Sequence, residues 1–220
     1  MGLSLHYELR LPATRTSADV NELLQGLRTR ALQSRFEEVS SLIEAPLERS
    51  VDRWERFLGV WAAVIARPTG NEIPRRKGDV TTARGFVVHA GSGCEPAAFG
   101  FLRRAARRGR SLEWFWCCSC KTQYASVVSE EHFIACHTML TAFLDQAIEL
   151  GIDVSVLDEG NYWETRDTTR LLAELRHMNQ RIAGFAGRLS DSLTGDRRVI
   201  ASIFEHPEFE HLEMESIDRL

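Results

Sequence analysis

The sequence has few lysines. Only Lys77 and Lys121 are present among 27 cationic residues, so arginine supplies nearly all of the positive charge. A buried lysine can lose its proton and act as a base or nucleophile, whereas arginine stays protonated. Lys121 follows three cysteines in the segment Cys-Cys-Ser-Cys-Lys-Thr-Gln-Tyr. We therefore treat Lys121 as a candidate catalytic residue, with chance placement as the alternative explanation.

Long apolar runs are also missing. No segment approaches the ~20 apolar residues that a membrane-spanning helix needs, and the N-terminus lacks the basic and apolar regions of a secretion signal. The five cysteines are an odd number, which is typical of a reducing compartment. With 44% hydrophobic and 26% charged residues, the composition is that of a globular protein. We expect a cytoplasmic protein with no membrane association, folded as one domain over residues 1–220.

Hydrophobic periodicity predicts the order of the elements. Alternating apolar residues predict strands, and apolar residues three and four positions apart predict helices. The predicted strands are 3–11, 36–43, 86–90, 99–102, 112–120 and 152–158. The predicted helices are 16–34, 129–150 and 167–189, the last with a buried stripe of Leu171, Leu175, Met178, Ile182, Phe185 and Leu189. Residues 47–66 keep a helical spacing, with a buried strand as the alternative for 58–66. The remaining parts are a 67–84 loop, a 91–96 turn, and a loosely packed acidic tail over 191–220 anchored by Ile203, Phe204 and Phe209.

This order of elements predicts an α+β fold. A β-α-β unit within residues 1–66 is followed by further strands and by a second β-α-β unit in the Cys- and Trp-rich half, 85–190. The pattern is typical of a ferredoxin-like βαβ…βαβ sandwich, here with an inserted hairpin or loop region and a long C-terminal helix. Such a fold hosts many functions and specifies none.

The second β-α-β unit predicts where a site would lie. A crossover helix makes the strands 112–120 and 152–158 parallel, so their carboxyl ends reach the same edge of the sheet, where ligands commonly bind. The candidate catalytic residues at this edge are Lys121, Asp158, Glu159 and Glu164. The candidate ligand-binding residues are Cys94, Glu95, Trp116, Cys120, Tyr124 and Trp163, with Trp114 as a further wall. The alternative is a set of solvated acids with a surface lysine partner.

All five cysteines lie between residues 94 and 136. A zinc site would use ligands from His89, Cys94, Cys118, Cys120 and His137. However, the chain has no repeated pair of Cys-x-x-Cys turns, and a strand would direct neighbouring thiols to opposite faces. We therefore predict no cofactor and keep zinc as an alternative.

The cysteines have three further interpretations. As a redox pair, a bridge from Cys94 to 117, 118 or 120 is allowed but nothing in the sequence supports it, whereas neighbours within the 112–120 strand are badly placed for a disulfide. As a nucleophile, Cys94 lies in a glycine turn and Cys120 near a helix N-terminus, with His89 or His137 as the base. As small core residues, the thiols are simply buried, and this is the interpretation that the sequence favours.

No motif in the sequence names a reaction, so whether the protein is an enzyme stays open. We expect a pocket at one sheet edge for a small polar or cationic ligand. One alternative is a non-catalytic protein-interaction module that uses the basic run 103–110 and the acidic tail; another is a small zinc protein. The basic run has no interleaved aromatic residues for base stacking, so no nucleic-acid partner is expected.

Overall fold

The computed structural model is a mixed α+β fold built on an antiparallel sheet, and it describes residues 2–45, 80–104, 114–193 and 198–217. Seven strands form the sheet within these residues. They are β1 (Ser4–Leu11), β2 (Glu38–Val39), β3 (Ile43–Ala45), β4 (Val80–His89), β5 (Ala97–Arg104), β6 (Trp114–Lys121) and β7 (Asp153–Asp158). The order across the sheet is β2-β4-β5-β6-β1-β7, and β3 also pairs with β4.

Helices and short 3₁₀ segments complete the described fold. The helices are α1 (Ser17–Gln33), α2 (Glu130–Glu149), α3 (Tyr162–Thr165), α4 (Thr168–Ser192) and α5 (Phe209–Ile217). The 3₁₀ segments are Gln123–Val127 and Ser202–Glu205. In the part of the chain that the structure describes, no helix has both the length and the apolar character needed to cross a membrane.

The main core lies on one face of the sheet because β1 alternates as predicted. Leu5, Leu9 and Leu11 of β1 are buried, and their cluster includes residues of α1 and α2. The ring of Phe143 in α2 meets the ring of Phe99 in β5 edge-on, with centroids 4.7 Å apart. Burying a side chain of this size stabilises the fold by roughly 2–3 kcal/mol.

Two predicted helix starts are confirmed by their caps. Thr16 accepts a hydrogen bond from the Asp19 amide, and the Asp19 carboxylate accepts one from the Thr16 amide, which forms a capping box. The hydroxyl of Ser129 accepts from the His132 amide at 3.1 Å at the start of α2. Each cap satisfies a backbone donor that the first helical turn leaves unpaired.

The predicted crossover brings the ends of β6 and β7 to one edge. Both strands are antiparallel to β1, so they are parallel to each other with β1 between them. Leu5 of β1 is the register partner of Cys120 on one side and of Asp158 on the other. The inference that Lys121 and Asp158 reach the same edge is therefore confirmed.

Several predicted boundaries in the first half differ from the structure. Residues 80–84 belong to β4 and not to a loop, because they pair with β3 and β5. The strand predicted at 36–43 is divided into β2 and β3, which pair with different parts of β4. The interpretations placed on 47–66, on 67–79 and on 105–110 lie outside the described residues.

The C-terminal part departs from the prediction in its packing. Phe185 and Leu189 are 49% and 39% exposed, so their assignment to the buried stripe was wrong. The end of α4 instead buries small residues, and Gly184 and Gly187 face α5 so closely that a β-carbon would collide with Ser216 and Glu213. The predicted loose tail thus forms a 3₁₀ segment and a helix that pack on α4, with Ile203 fully buried.

Candidate functional site at the sheet edge

The carboxyl ends of β4, β6 and β7 meet the start of β1 at one edge of the sheet, which we call the functional edge. Backbone hydrogen bonds hold its connections together. The Glu95 amide donates to the Lys121 carbonyl at 2.8 Å, and the Glu159 amide donates to the Ser4 carbonyl at 3.2 Å. The residues of the 91–96 turn are thereby fixed beside the end of β6.

Backbone amides engage two of the predicted catalytic carboxylates at this edge, Asp158 and Glu159, and the predicted ligand-binding carboxylate Glu95. Glu159 accepts from the Ser4 amide at 2.8 Å, and Glu95 accepts from the Lys121 amide at 3.1 Å. Asp158 accepts from the Gly160 and Trp163 amides at 2.8 Å each. These bonds satisfy donors at the strand ends, so each carboxylate has a structural function in this arrangement.

Lys121 and Asp158 point to opposite faces of the sheet although they share an edge. Cys120 and Asp158 are both in register with buried Leu5, so their side chains lie on the core face. Lys121 is the next residue in β6 and therefore lies on the other face. Its ammonium is 5.7 Å from the centroid of the Tyr124 ring. The alternation thus directs the two side chains away from a shared pocket.

The predicted aromatic walls are also dispersed. Trp116 is buried in the middle of β6, where its indole N–H donates to the Ala98 carbonyl at 2.7 Å. Trp163 is half-buried, with the guanidinium of Arg166 placed 4.6 Å from its ring. Glu164 is exposed in α3. Both tryptophans of β6, Trp114 and Trp116, are thus buried in the core.

A buried chain of hydrogen bonds links β6, α2 and β7. The hydroxyl of Thr122 is 2.8 Å from Nδ1 of His137, and Nε2 of His137 is 3.2 Å from Oδ2 of Asp158. A carboxylate accepts, so Nε2 carries the proton, and Nδ1 accepts from the threonine hydroxyl. The order hydroxyl, imidazole, carboxylate is that of a nucleophile relay. Thr122 and His137 are fully buried, however, so the chain holds three elements together and is closed to a substrate.

The charge of Asp158 is favoured by this chain. Burial alone raises the pKa of the carboxyl group, but the hydrogen bond from His137 and those from the two backbone amides lower it below its ordinary value. Asp158 is therefore an ionised structural residue at neutral pH.

Two of the candidate cysteines, Cys118 and Cys120, are small buried core residues, which is the interpretation that the sequence favoured. Cys118 and Cys120 are buried, and burial raises the pKa of both thiols. The Cys120 thiol donates to the Glu95 carbonyl at 2.9 Å. Any effect of the α2 N-terminus on Cys120 is outweighed by desolvation, which argues against a nucleophilic thiolate there.

The thiols of Cys94 and Cys136 lie next to each other. Cys94 belongs to the 91–96 turn and Cys136 to α2, and each thiol shifts the pKa of the other. The Cys136 thiol donates to the Ala90 carbonyl at 3.5 Å. Nε2 of His132, one helical turn before Cys136, is 3.6 Å from its sulfur. Both cysteines were identified individually from the sequence, but their pairing and the neighbouring histidine were not.

The candidate zinc ligands are separated in the fold. His137 is bound to Asp158, and His89 lies 3.9 Å from Glu37. Within the ranges that the structure describes, no group of three or more histidine, cysteine or acidic side chains is arranged to hold a metal ion.

A cavity of about 530 Å³ lies beside the functional edge, and we call it the α4 cavity. The residues that line it come from the 3₁₀ segment after β6, the start of α2, α4, and the C-terminal segment. They are Ser126, Val127, Val128, Ser129, Glu130, Leu175, Arg176, Asn179, Gln180, His206, Pro207, Glu208, His211, Leu212 and Glu215. This volume is in the range of ~300–1,000 Å³ that is typical of small-molecule sites.

Buried amides connect the cavity to the functional edge. Gln123 accepts from the Leu3 amide at 3.0 Å and donates to Asn179 at 2.6 Å. Asn179 in turn lies 3.4 Å from the hydroxyl of Ser126 on the cavity wall. These bonds fix the wall relative to the sheet, because a buried amide is costly when it lacks partners.

The comparisons with known proteins give no relative from which a function could be transferred. No family model matches the chain, and neither the curated proteins nor the solved structures contain a significant match. Any function must therefore be argued from the chemistry of the site itself.

Proposed function

We propose that this protein binds a small organic cation in the α4 cavity. The observation that carries the proposal is the composition of the cavity wall, in which three carboxylates face one guanidinium. The carboxylates are Glu130, Glu208 and Glu215, and the guanidinium is that of Arg176. Leu175 and Leu212 are buried beside them and provide an apolar floor for the carbon skeleton of a ligand.

The single arginine is already neutralised. Arg176 donates two hydrogen bonds of 2.7 Å to the two oxygens of Glu130, and these bonds lower the pKa of the glutamate. Glu208 and Glu215 then give the cavity an excess of negative charge. Glu215 accepts a hydrogen bond from Gln180 and lies 3.1 Å from His211.

His206 adds a polar group without a positive charge. Burial lowers the pKa of its imidazole, so the ring is neutral at pH 7. Its Nδ1 accepts from the Glu208 amide at 3.2 Å, which leaves the proton on Nε2 as a donor. A ligand with an ammonium group and a hydrogen-bond acceptor would match such a wall.

The proposal keeps the ligand class expected from the sequence and moves the site. The cavity is beside the predicted edge, but its charged residues come from the start of α2, from α4 and from the C-terminal segment. As to the fold, we propose that β1, β5, β6 and β7 are the four strands of a ferredoxin-like arrangement, with β2, β3 and β4 as the insertion. We assign no reaction to the cavity, so its function is proposed as binding.

The proposal is tested by ligand binding with defined probes. Propylammonium, putrescine and spermidine would be titrated into the full chain, with propanol and propionate as neutral and anionic analogues. We expect the amines to raise the melting temperature in a concentration-dependent way, because a ligand that binds only the folded state stabilises it. Binding of propionate in preference to the amines would contradict the proposal.

A matched pair of variants locates the binding. Glu215→Gln keeps a side chain that is able to hydrogen-bond Gln180 but removes one charge, and we expect about tenfold weaker amine binding. Glu164→Gln removes an exposed charge from α3, outside the cavity, and should bind like the wild type. Equal affinities in both variants would place the amine elsewhere and overturn the proposal.

A further inference from the structure

The thiols of Cys94 and Cys136 meet under the turn that joins β4 to β5. The Cys94 amide closes this turn by donating to the Gly91 carbonyl at 3.0 Å. Gly91 packs directly on the thiol site, because a β-carbon there would lie 2.8 Å from the Cys136 sulfur and 2.9 Å from the His132 ring. A side chain at position 91 would thus occupy the space in which the turn approaches α2.

His132 is placed as a hydrogen-bond donor to Cys136. Its Nε2 is 3.0 Å from the Ser92 carbonyl and 3.6 Å from the Cys136 sulfur. A carbonyl oxygen only accepts, so Nε2 must carry a proton. The same N–H therefore also faces the sulfur, where it stabilises a thiolate and does not remove the thiol proton.

The charges around the pair assign a different protonation state to each sulfur. The hydrogen bond from Cys94 lowers the pKa of Cys136 to about 7, against the effect of burial and with the help of His132. That same contact, together with burial and the neighbouring Cys120, raises the pKa of Cys94. Glu37 faces both thiols and opposes ionisation of each. At neutral pH a substantial fraction of Cys136 is therefore the thiolate, whereas Cys94 stays a thiol; in its protonated form Cys136 donates to the Ala90 carbonyl at 3.5 Å.

From this geometry we infer that Cys94 and Cys136 form a redox-active dithiol that a small hydroperoxide oxidises to a disulfide. Cys136 is the attacking sulfur and Cys94 the resolving one. The site is separate from the α4 cavity, and it makes use of two thiols and a histidine that the proposed ligand-binding function leaves without a role.

The reaction balances with the peroxide as the only oxidant. The Cys136 thiolate attacks one peroxide oxygen, the O–O bond breaks, and the leaving alkoxide or hydroxide takes a proton from water. Cys136 is then a sulfenic acid. The Cys94 sulfur attacks that sulfur, an S–S bond forms, and the S–O bond breaks. The hydroxide that leaves combines with the Cys94 proton as water, so two electrons have passed from the thiols to the peroxide.

Because both cysteines are buried, only a small oxidant reaches them without movement of the turn. Cys136 is 2% exposed and Cys94 is 8% exposed, and both lie beneath the exposed residues Ser92 and Gly93. Hydrogen peroxide is little larger than water, whereas an aromatic disulfide reagent requires the turn to open. We expect fast reaction with the former and slow reaction with the latter.

Peptide mapping of the wild-type protein tests the inference directly. The full chain would be reduced with dithiothreitol, desalted, and exposed to an equimolar amount of hydrogen peroxide at pH 7. We expect a mass loss of two hydrogens and, after digestion without reductant, a cross-linked peptide that joins Cys94 to Cys136. A disulfide that instead involves 117, 118 or 120, or the absence of any disulfide in the folded protein, would overturn it.

Variants separate the two roles. In Cys94→Ser, which keeps a hydrogen-bond donor beside Cys136 but cannot resolve it, Cys136 should accumulate as a sulfenic acid that a dimedone probe captures. Cys136→Ala should give no probe adduct at Cys94. His132→Leu should slow disulfide formation about fivefold at pH 7, because the loss of one hydrogen-bond donor leaves less Cys136 thiolate. The pH at which the rate rises should also shift upward. Cys117→Ala changes a thiol outside the pair and should react at the wild-type rate.

Circular dichroism establishes that each variant is folded before its rate is compared. Capture of a sulfenic acid at Cys94 in place of Cys136 would reverse the assigned roles and contradict the inference. An unchanged rate and pH profile in His132→Leu would remove the proposed function of the histidine.

Discussion

At the residue scale, burial and hydrogen bonding decide what each ionisable side chain does. Asp158 was a candidate catalytic acid because it ends a strand, yet its carboxylate is closed in by His137 and two backbone amides. Cys136 is equally buried, but its neighbours are a thiol and an imidazole N–H, which favour its charged form. The type of partner, and not exposure alone, therefore separates a structural group from a reactive one.

Replacement of Asp158 should lower stability in a pH-dependent way. In Asp158→Asn the charge and one acceptor are lost, and we expect a destabilisation of about 2–3 kcal/mol at pH 7. The folded-state pKa of Asp158 is lowered, so its contribution is fully present above the unfolded value of about 3.9 and is lost as the pH falls through the folded one. Urea unfolding at pH 7 and at successive values below 4 would measure this.

The matched control is Asp153→Asn, an exposed carboxylate on the same strand. It should unfold at the wild-type urea concentration at pH 7. If the difference in the free energy of unfolding between wild type and Asp158→Asn stays constant down to pH 2, the charge of Asp158 contributes nothing to stability.

At the scale of elements, the contact between α4 and α5 shapes the C-terminal region. Small residues of α4 allow close approach, and together with Ile203 and Leu212 they form a second hydrophobic cluster apart from the main core. The same packing brings Glu208 and Glu215 to the α4 cavity. The docking of one short helix therefore decides whether the proposed ligand site is complete.

A bulky residue in this contact should displace α5. Gly184→Leu would drive a side chain into Ser216, and we expect a loss of about 1–3 kcal/mol together with loss of amine binding. Gly26→Leu is the control, because a β-carbon at position 26 of α1 meets nothing within 4 Å. Differential scanning calorimetry and amine titration measure the two effects. Amine binding by a folded Gly184→Leu protein would contradict the assignment of the cavity.

At the scale of the whole molecule, stability should be unevenly distributed. Strand β1 is paired on both sides and carries a row of buried residues. In contrast, α5 has nine residues and rests on the small second cluster. The proposed ligand site lies next to the less extensively packed part, where local opening costs less than global unfolding.

Native-state hydrogen exchange should resolve this difference. We expect the amides of β1 to exchange only through global unfolding, and those of α5 at a free energy several kcal/mol lower. An amine that occupies the α4 cavity should slow exchange in α5 and leave β1 unchanged. Equal protection in the two elements would show that the clusters unfold as one unit.

Local sequence patterns were sufficient to predict most described elements. The alternation of β1, the caps at Thr16 and Ser129, and the stripe of α2 depend on residues close together in the chain. The shared edge of β6 and β7 was also predictable, since the chirality and length of a crossover helix restrict how two strands connect. Polar residues such as Asn179 inside the α4 stripe were the signal of a buried polar network that the periodicity argument overlooked.

The sequence alone thus determined the α+β class, the crossover at the second half, and the segment that holds every thiol. Only the tertiary structure decided which groups meet. It placed Lys121 and Asp158 on opposite faces of one edge, paired Cys94 with Cys136 beside His132, and brought the acidic C-terminal segment to α4. The physical reason is that periodicity reports which face of an element is buried, whereas a site depends on contacts between residues far apart in the chain.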